Sequence, residues 1–252
     1  MTPVTSTFDE ADTDLIKTAS VLDTTQPLET EPIQWADSVE KLFSFKAQST
    51  GFKAQQALKR LIDIVCASLG LIALMPLLLM VAAAVKLTSE GPIFYKSKRI
   101  GKNFEPFYMM KFRTMEVNAD AKRAELRKKA NLDNTLFKLE NDPRITKIGR
   151  FLRAFSLDEF PQLLNVIKGE MSLVGPRPLM PDESEYFERP YTMRFNVYPG
   201  ITGQWQVSGR SNLNFNQLCQ LEMNYVLQWS LFNDFRILLM TFPAVLASKG
   251  AY

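Results

Sequence analysis

Two adjacent carboxylates, Asp158 and Glu159, stand in the stretch FSLDEFPQLLNV, where a helix is expected to begin. Several cations flank this pair along the chain; they are Arg144, Lys147, Arg150, Arg153 and Arg177. Phosphoryl transfer requires an ionised oxygen nucleophile, a carboxylate that holds Mg²⁺ and cations that neutralise phosphate oxygens. The residue types therefore fit phosphoryl transfer, although simple charge compensation between neighbours would give the same pattern.

The carboxylate pair also has a structural explanation, because Asp and Glu commonly cap helices. If Ser156 is the N-cap, Glu159 takes the N3 position of a capping box. If Asp158 is the N-cap, Pro161 falls at N3, where its missing N–H matters less. Both arrangements place the two carboxylates at the positive end of a helix dipole, which favours their ionised forms.

The chain of 252 residues contains no histidine, and this narrows the possible chemistry. Triads and dyads that depend on imidazole are excluded, and any metal must be a hard cation bound through oxygen. The two cysteines, Cys66 and Cys219, have the spacing of neither a disulfide framework nor a zinc site. A reducing compartment is therefore expected.

Charge is distributed unevenly along the chain. Residues 1–40 carry nine acidic side chains and one basic side chain, whereas the whole chain has 27 acidic and 30 basic residues. The remainder therefore has a net charge of +11, which suits a phosphate-bearing ligand or an anionic membrane surface. Residues 1–50 are predicted to form an acidic and mostly disordered tail, with a short amphipathic helix over residues 33–43.

An uncharged stretch of 22 residues runs from Ile64 to Val85. A straight helix of this length spans about 33 Å, enough for a bilayer core of roughly 30 Å. Pro76 in its middle is expected to bend the helix, and both flanks are basic. Because basic residues favour the cytoplasmic side, residues 51–90 are predicted to form a re-entrant helix that enters and leaves by the same face. A kinked single span remains the alternative.

Residues 91–252 are predicted to form a mainly α-helical cytoplasmic domain with a small β-hairpin. The hairpin strands are expected near residues 92–99 and 105–112, and an exposed charged helix over residues 117–130. A short helix, a helix that ends at Gly169 and the glycine-rich loop VYPGITGQWQVSGR follow. Two helices complete the chain, and the second is apolar enough to lie in the membrane interface.

Three motifs, taken together, resemble those of the bacterial polyprenyl-phosphate sugar-1-phosphate transferases, the small monotopic phosphoglycosyl transferases. They are KFRTM, DPRITKIGRFLRAFSLDEFPQLLNVIKGEMSLVGPRP and PGITGQWQVSGR, and the likeness covers residues 59–252. The resemblance implies an enzyme that transfers a hexose-1-phosphate from a UDP-sugar to polyprenyl (undecaprenyl) phosphate. It further implies release of UMP, initiation of exopolysaccharide or glycoconjugate assembly, a re-entrant helix, and a location at the cytoplasmic face of the bacterial inner membrane.

The resemblance also implies roles for individual residues. Asp158 falls at the position of the nucleophile, which attacks the β-phosphorus and forms a sugar-phospho-aspartate, and Glu159 helps Asp158 to bind Mg²⁺. Lys111, Arg153 and Arg177 fall at phosphate-binding positions. The expected partners are a UDP-hexose donor, the polyprenyl phosphate acceptor and membrane lipid. No nucleic acid is expected, and the sequence leaves open whether the chain forms a homodimer.

A second interpretation makes the chain a catalytically inactive, membrane-tethered scaffold of a polysaccharide assembly machinery. The intact Asp158–Glu159 pair and its arginines favour the enzyme, because a non-catalytic relative is expected to have lost one of these groups. A nucleic-acid binder is disfavoured, because the sequence has no recognisable binding motif and does contain the long apolar segment. The sequence leaves open which sugar is transferred.

Overall fold

The structure is a computed structural model that describes residues 32–119, 121–122, 142–209 and 213–246. This part of the chain is mainly α-helical with two small sheets, as predicted for the fold class and its hairpin. The helices are α1 (Pro32–Gln48), α2 (Thr50–Thr88), α3 (Lys147–Ala154), α4 (Gln162–Lys168), α5 (Pro181–Ser184), α6 (Gln204–Val207), α7 (Phe215–Leu227) and α8 (Leu231–Leu246). The strands are β1 (Phe94–Ile100), β2 (Pro106–Phe112), β3 (Ser172–Val174) and β4 (Gly200–Thr202). Three short 3-10 helices cover Lys102–Phe104, Leu157–Glu159 and Tyr191–Asn196.

Helix α2 contains the whole uncharged segment and continues through Pro76. Among the described residues it is the one helix long and apolar enough to cross a membrane. Many of its apolar side chains point away from the rest of the protein, as illustrated by Ile72, which is 70% exposed. Such a large uncovered apolar surface marks contact with lipid or another apolar partner. Among the described residues, helix α2 is therefore the element suited by its length and exposed apolar surface to associate with a membrane.

Both halves of α2 pack against the same folded domain. In the first half, Ala67 belongs to a buried cluster with Leu163 of α4 and residues of β2. In the second half, Val85 belongs to another cluster with Phe112 of β2 and Leu152 of α3. The domain therefore follows the helix along most of its apolar length.

Polar contacts fix the two ends of α2 to the domain. At the first end, the Lys59 ammonium group lies 2.5 Å from the Asp234 carboxylate of α8, and Asp63 accepts a hydrogen bond of 2.8 Å from the Ser172 hydroxyl. At the other end, the Arg113 guanidinium donates to the carbonyl and the hydroxyl of Ser89, at 2.9 Å each. The Ser89 carbonyl follows the last turn of the helix, where backbone acceptors lack an intrahelical partner.

Strands β1 and β2 form the predicted antiparallel hairpin, in a register that pairs Phe94 with Phe112 and Lys98 with Tyr108. The observed ends lie within two residues of the predicted ones. Asn103 adopts the left-handed conformation in the turn, with φ 55° and ψ 30°, which Asn tolerates better than most residues.

A second sheet was not predicted. Strands β3 and β4 are parallel, with Ser172 opposite Gly200. The chain segments can lie this close together because residue 200 is glycine: a Cβ there would stand 2.1 Å from the Gly175 nitrogen. The sequence analysis treated residues 197–210 as a loop, but this stretch includes β4 and α6. Strands of three residues are too short to show an alternating pattern.

The helix expected over residues 33–43 is present and longer, as α1. Its side chains Val39 and Phe43 pack in a buried cluster with Val226 and Trp229. The predicted disordered tail lies outside the described residues up to residue 31. The helix predicted over residues 117–130 also lies mostly outside them.

Candidate active site

Asp158 and Glu159 lie in the 3-10 turn Leu157–Glu159, between α3 and α4. Helix α4 begins only at Gln162, and neither predicted N-cap makes a capping hydrogen bond. Both capping predictions are therefore wrong. Ser156 instead adopts the left-handed conformation, with φ 54° and ψ 23°, which costs a residue with a Cβ roughly 1–2 kcal/mol. This bend turns the chain so that the carboxylate pair precedes the helix rather than capping it; the helix ends at Gly169, as predicted.

Lys111 and Arg153 reach the carboxylate pair from two other elements. The Lys111 ammonium group, near the end of β2, lies 2.7 Å from a carboxylate oxygen of Glu159. Arg153, near the end of α3, acts electrostatically on Asp158 and Glu159. Asp158 itself is buried. Four of the five predicted site residues are thus brought together from β2, α3 and the turn.

Burial raises the pKa of Asp158, and the charge of Glu159 adds to this effect, whereas Lys111 and Arg153 lower the pKa. The net result is a pKa above the usual range for aspartate. Desolvation disfavours any buried charge. It therefore outweighs the helix-dipole effect that was expected to favour the ionised form of Asp158. Lys111 and Arg153 oppose this increase in the pKa, because a positive charge favours the ionised form of a nearby carboxyl group.

Thr114 positions the helix that carries Arg153. Its hydroxyl accepts a hydrogen bond of 2.9 Å from Arg153 Nε, and its carbonyl accepts one of 3.0 Å from the Thr146 N–H. Helix α3 can approach this closely because residue 149 is glycine: a Cβ there would stand 2.0 Å from the Thr114 oxygen. The sequence analysis did not single out Thr114 or Gly149, although both lie within its quoted motifs.

The other cations near the pair have different surroundings. Arg144 donates to both carboxylate oxygens of Asp142, at 2.8 and 2.6 Å, and to the Ala119 carbonyl at 3.0 Å. This buried pair shapes the loop before α3. Lys147 and Arg150 are exposed to solvent. Among the four cations at residues 144–153, Arg153 is the one that acts on the carboxylate pair, together with Lys111 from β2.

Arg177 belongs to a second polar group. Its backbone N–H donates to Glu222 at 2.9 Å, its guanidinium lies 3.7 Å from Glu183, and its guanidinium carbon lies 5.0 Å from the centre of the Trp205 ring. It makes no hydrogen bond or ion pair with any described residue around Asp158. Its role in phosphate binding stays a prediction.

The turn that carries the carboxylates is connected to α2 through two buried apolar clusters. Leu157, just before Asp158, packs on the cluster that contains Val85 in the second half of the helix. Phe160, just after Glu159, packs on the cluster that contains Ala67 in the first half. The charged site is thus linked to α2 by apolar packing on both sides of the carboxylate pair.

A buried carboxylate among cations, linked to a helix with a large exposed apolar surface, fits a membrane-associated enzyme that acts on phosphate groups. Residues 54–248 match the family described as bacterial sugar transferase, and the chain belongs to that family. Its enzymatic class and the family suggested by the motifs are thereby confirmed.

Three relatives illustrate the likeness. The exopolysaccharide production protein ExoY of Sinorhizobium fredii is 44% identical over 198 residues, which cover 77% of this chain and 88% of ExoY. The undecaprenyl-phosphate galactose phosphotransferase of Salmonella typhimurium is 42% identical over 205 residues, 79% of this chain and 43% of the relative. The UDP-glucose:undecaprenyl-phosphate glucose-1-phosphate transferase of Xanthomonas campestris is 39% identical over 202 residues, which cover 77% of this chain and 40% of the relative. The chain thus spans less than half of the last two proteins.

Proposed function

We propose that this protein transfers a hexose-1-phosphate from a UDP-hexose to undecaprenyl phosphate and so initiates the assembly of a polysaccharide. The observation that carries the proposal is the burial of Asp158 beside Glu159, within the influence of Lys111 and Arg153. The relatives named as undecaprenyl-phosphate sugar transferases support the two substrates.

The proposed reaction has two displacements at one phosphorus atom. An Asp158 carboxylate oxygen attacks the β-phosphorus of the UDP-sugar, the bond from that phosphorus to the bridging oxygen breaks, and UMP leaves with the electron pair. A phosphate oxygen of undecaprenyl phosphate then attacks the same phosphorus and releases the Asp158 carboxylate. Because the acceptor is already an anion, no general base is needed, which agrees with the absence of histidine. Covalent catalysis divides one difficult displacement into two easier ones.

Lys111 and Arg153 have the charge and position to stabilise the phosphate oxygens as negative charge accumulates on them. Their effect is increased by burial, because charges interact more strongly where water is excluded. The first displacement also removes the free charge of Asp158, whose burial is unfavourable. The site thus favours bond formation at this carboxylate.

The donor atoms of the turn fit Mg²⁺, which binds proteins through one or two carboxylates and takes its other ligands from substrate phosphates and water. Glu159 is partly exposed beside the buried Asp158, so the pair can present oxygens toward a diphosphate. No larger group of acidic, cysteine or histidine ligands exists among the described residues. When bound there, Mg²⁺ would neutralise the diphosphate charge.

A re-entrant path for α2, with the site at the cytoplasmic face, is part of the proposal. Leu157 and Phe160 pack on the clusters that contain Val85 and Ala67 of α2, and α4, which follows the turn, packs on α2 directly, so a straight span would carry the turn toward the interior of the bilayer. A charged side chain there costs at least ~2.5–3.5 kcal/mol, and the nucleotide would have no access.

Tags at the two chain ends should both be cytoplasmic; tags on opposite sides would contradict this topology.

Purified protein with Mg²⁺ and undecaprenyl phosphate should release UMP from UDP-glucose or UDP-galactose, and a panel of sugar nucleotides would identify the donor. Asp158→Asn should abolish UMP release. The matched control is Asp182→Asn, a partly exposed carboxylate in α5. Full activity of the Asp158 variant would refute the proposed mechanism.

A further inference from the structure

Asn165 is a polar side chain on the buried side of helix α4, where it is 0% exposed. It lies six residues after Glu159 in the chain. Burying an amide costs free energy unless the amide is hydrogen-bonded. The partners of Asn165 therefore show what this side chain does in the fold.

The Asn165 amide makes three hydrogen bonds. Its oxygen accepts a bond of 2.9 Å from the Met110 N–H. Its nitrogen donates to the Tyr108 carbonyl at 2.8 Å and to a carboxylate oxygen of Glu170 at 2.6 Å. Because a carbonyl and a carboxylate both accept, these two partners fix the orientation of the amide.

Two of these bonds occupy one edge of strand β2. Strand β1 pairs with the other edge, and alternate residues of an antiparallel strand point their N–H and C=O groups to the same edge. Tyr108 and Met110 are two residues apart, so the Asn165 amide binds them as the peptide group of a third strand would. In the described ranges this sheet has two strands, and Asn165 joins its edge to α4.

These bonds connect the two elements that carry the candidate site. Lys111 directly follows Met110 in β2, and α4 begins three residues after Glu159. Lys111 and Glu159 are 48 residues apart in the chain. Contacts between β2 and α4 therefore help to set the 2.7 Å separation of their charged groups.

Apolar packing also joins β2 to α4, because Phe107 and Met109 share a buried cluster with Leu163 and Val166. The hydrophobic effect is non-directional, whereas a hydrogen bond weakens steeply when its geometry changes. The Asn165 bonds therefore give this interface a defined register, which apolar packing does not supply.

We propose that Asn165 is a positioning residue for the transfer reaction, because it holds the Lys111 ammonium group beside the carboxylate pair. This inference rests on the proposed function, in which Lys111 stabilises the phosphate oxygens. Functional groups must be held within about 0.5 Å of their productive geometry. Stability of the fold is the competing explanation of a buried amide, so the test separates positioning from stability.

The first measurement is UMP release by Asn165→Leu, in which an apolar side chain of similar size removes both bonds to β2. We expect kcat to fall about tenfold, because the unpaired backbone groups favour a shift of the strand. The KM for the UDP-sugar should stay within twofold of wild type, because Lys111 acts on charge that accumulates in the transition state. Asn165→Ala is the second variant, since its small side chain leaves room for water beside the two backbone groups.

Tyr225→Phe is the matched control for stability. The buried Tyr225 hydroxyl also has two hydrogen-bond partners, the Val174 carbonyl at 3.0 Å and the Asp234 carboxylate at 2.8 Å. These partners belong to β3 and α8 rather than to β2 or the carboxylate turn. Both Asn165→Leu and Tyr225→Phe should lower the melting temperature in detergent, but Tyr225→Phe should keep kcat within twofold of wild type.

A double-mutant cycle with Lys111→Met tests whether Asn165 acts through Lys111. If it does, removal of the Asn165 amide has little further effect once the ammonium group is absent. The kcat of K111M/N165L should then lie within twofold of that of K111M.

Three outcomes would overturn the inference. A kcat within twofold of wild type in Asn165→Leu or Asn165→Ala would show that the amide does not position Lys111. A further tenfold fall from K111M to K111M/N165L, or a tenfold fall in Tyr225→Phe, would assign the effect to the fold as a whole. These results leave the proposed function intact, whereas absence of UMP release by the wild-type protein with every UDP-sugar would overturn that function and this inference with it.

Discussion

Gly149→Ala tests how closely α3 must approach Thr114, two residues after β2, for the site to form. The added Cβ would stand 2.0 Å from the carbonyl oxygen of Thr114, 2.7 Å from its carbonyl carbon and 2.8 Å from its α-carbon. Real Cβ contacts essentially never fall below 3.0 Å, so the helix must move by about 1 Å. All three obstructing atoms belong to the backbone, so no side-chain rotation relieves the clash.

The displacement should affect stability and activity to different extents. Overpacking costs about 1–3 kcal/mol, and the better helix propensity of alanine returns about 0.5–1 kcal/mol. The net loss in the free energy of unfolding is then about 0–2.5 kcal/mol. Arg153, one turn further on, would lose its position beside Asp158, and a misplacement of 1 Å can cost on the order of 100-fold in rate.

The assay is UMP release under steady-state conditions, combined with thermal unfolding of each variant in detergent. Gly51→Ala is the matched control, because a Cβ at this other helical glycine meets only the Ser49 hydroxyl, at 3.7 Å. We expect kcat/KM to fall about 100-fold for Gly149→Ala and to stay at the wild-type value for Gly51→Ala. Activity of Gly149→Ala within threefold of wild type would refute the argument that this contact positions Arg153.

Three further predictions concern contacts away from the carboxylates. Thr114→Val should lower kcat/KM by about tenfold, because Arg153 loses its hydrogen-bond acceptor, and Thr114→Ser should restore it; equal rates in all three proteins would contradict this role. Asp234→Asn should lower the melting temperature by roughly 10 °C, because breaking a buried ion pair costs about 3–5 kcal/mol; an unchanged melting temperature would show that the pair does not secure α2. Burial raises the pKa of Cys219 to about 12, so in a Cys66→Ser background iodoacetamide at pH 8 should label the protein only after unfolding, and rapid labelling of the native protein would contradict that burial.

Patterns that extend over many residues were predictable from the sequence. The uncharged run that became α2 and the turn residues between the two strands of the β1–β2 hairpin are set by local composition. The proximity of Asp158 to cations was also predictable, because the quoted motifs contain Arg153 and Lys111. The motifs do not give the distances between these side chains.

Features that depend on contacts between distant segments were not predictable. Ser156 takes a left-handed conformation that few sequences signal, so the turn was mistaken for a helix cap. The raised pKa of Asp158 follows from burial by β2 and α3, which local sequence does not reveal. Arg177 was grouped with the site because of its motif, yet its contacts are with Glu183 and Glu222.

The central claim is that Asp158 becomes covalently bonded to phosphorus during turnover. The most direct test is mass spectrometry of the enzyme mixed with its UDP-sugar and Mg²⁺ but without a lipid acceptor. Asp158→Asn is a suitable control because burial raises the pKa of Asp158, so a neutral amide should be tolerated there and the variant should remain folded. The account predicts a hexose-phosphate adduct on Asp158 in the wild-type protein and none in the variant. An adduct on any other residue, or acceptor-dependent turnover by the variant, would contradict it.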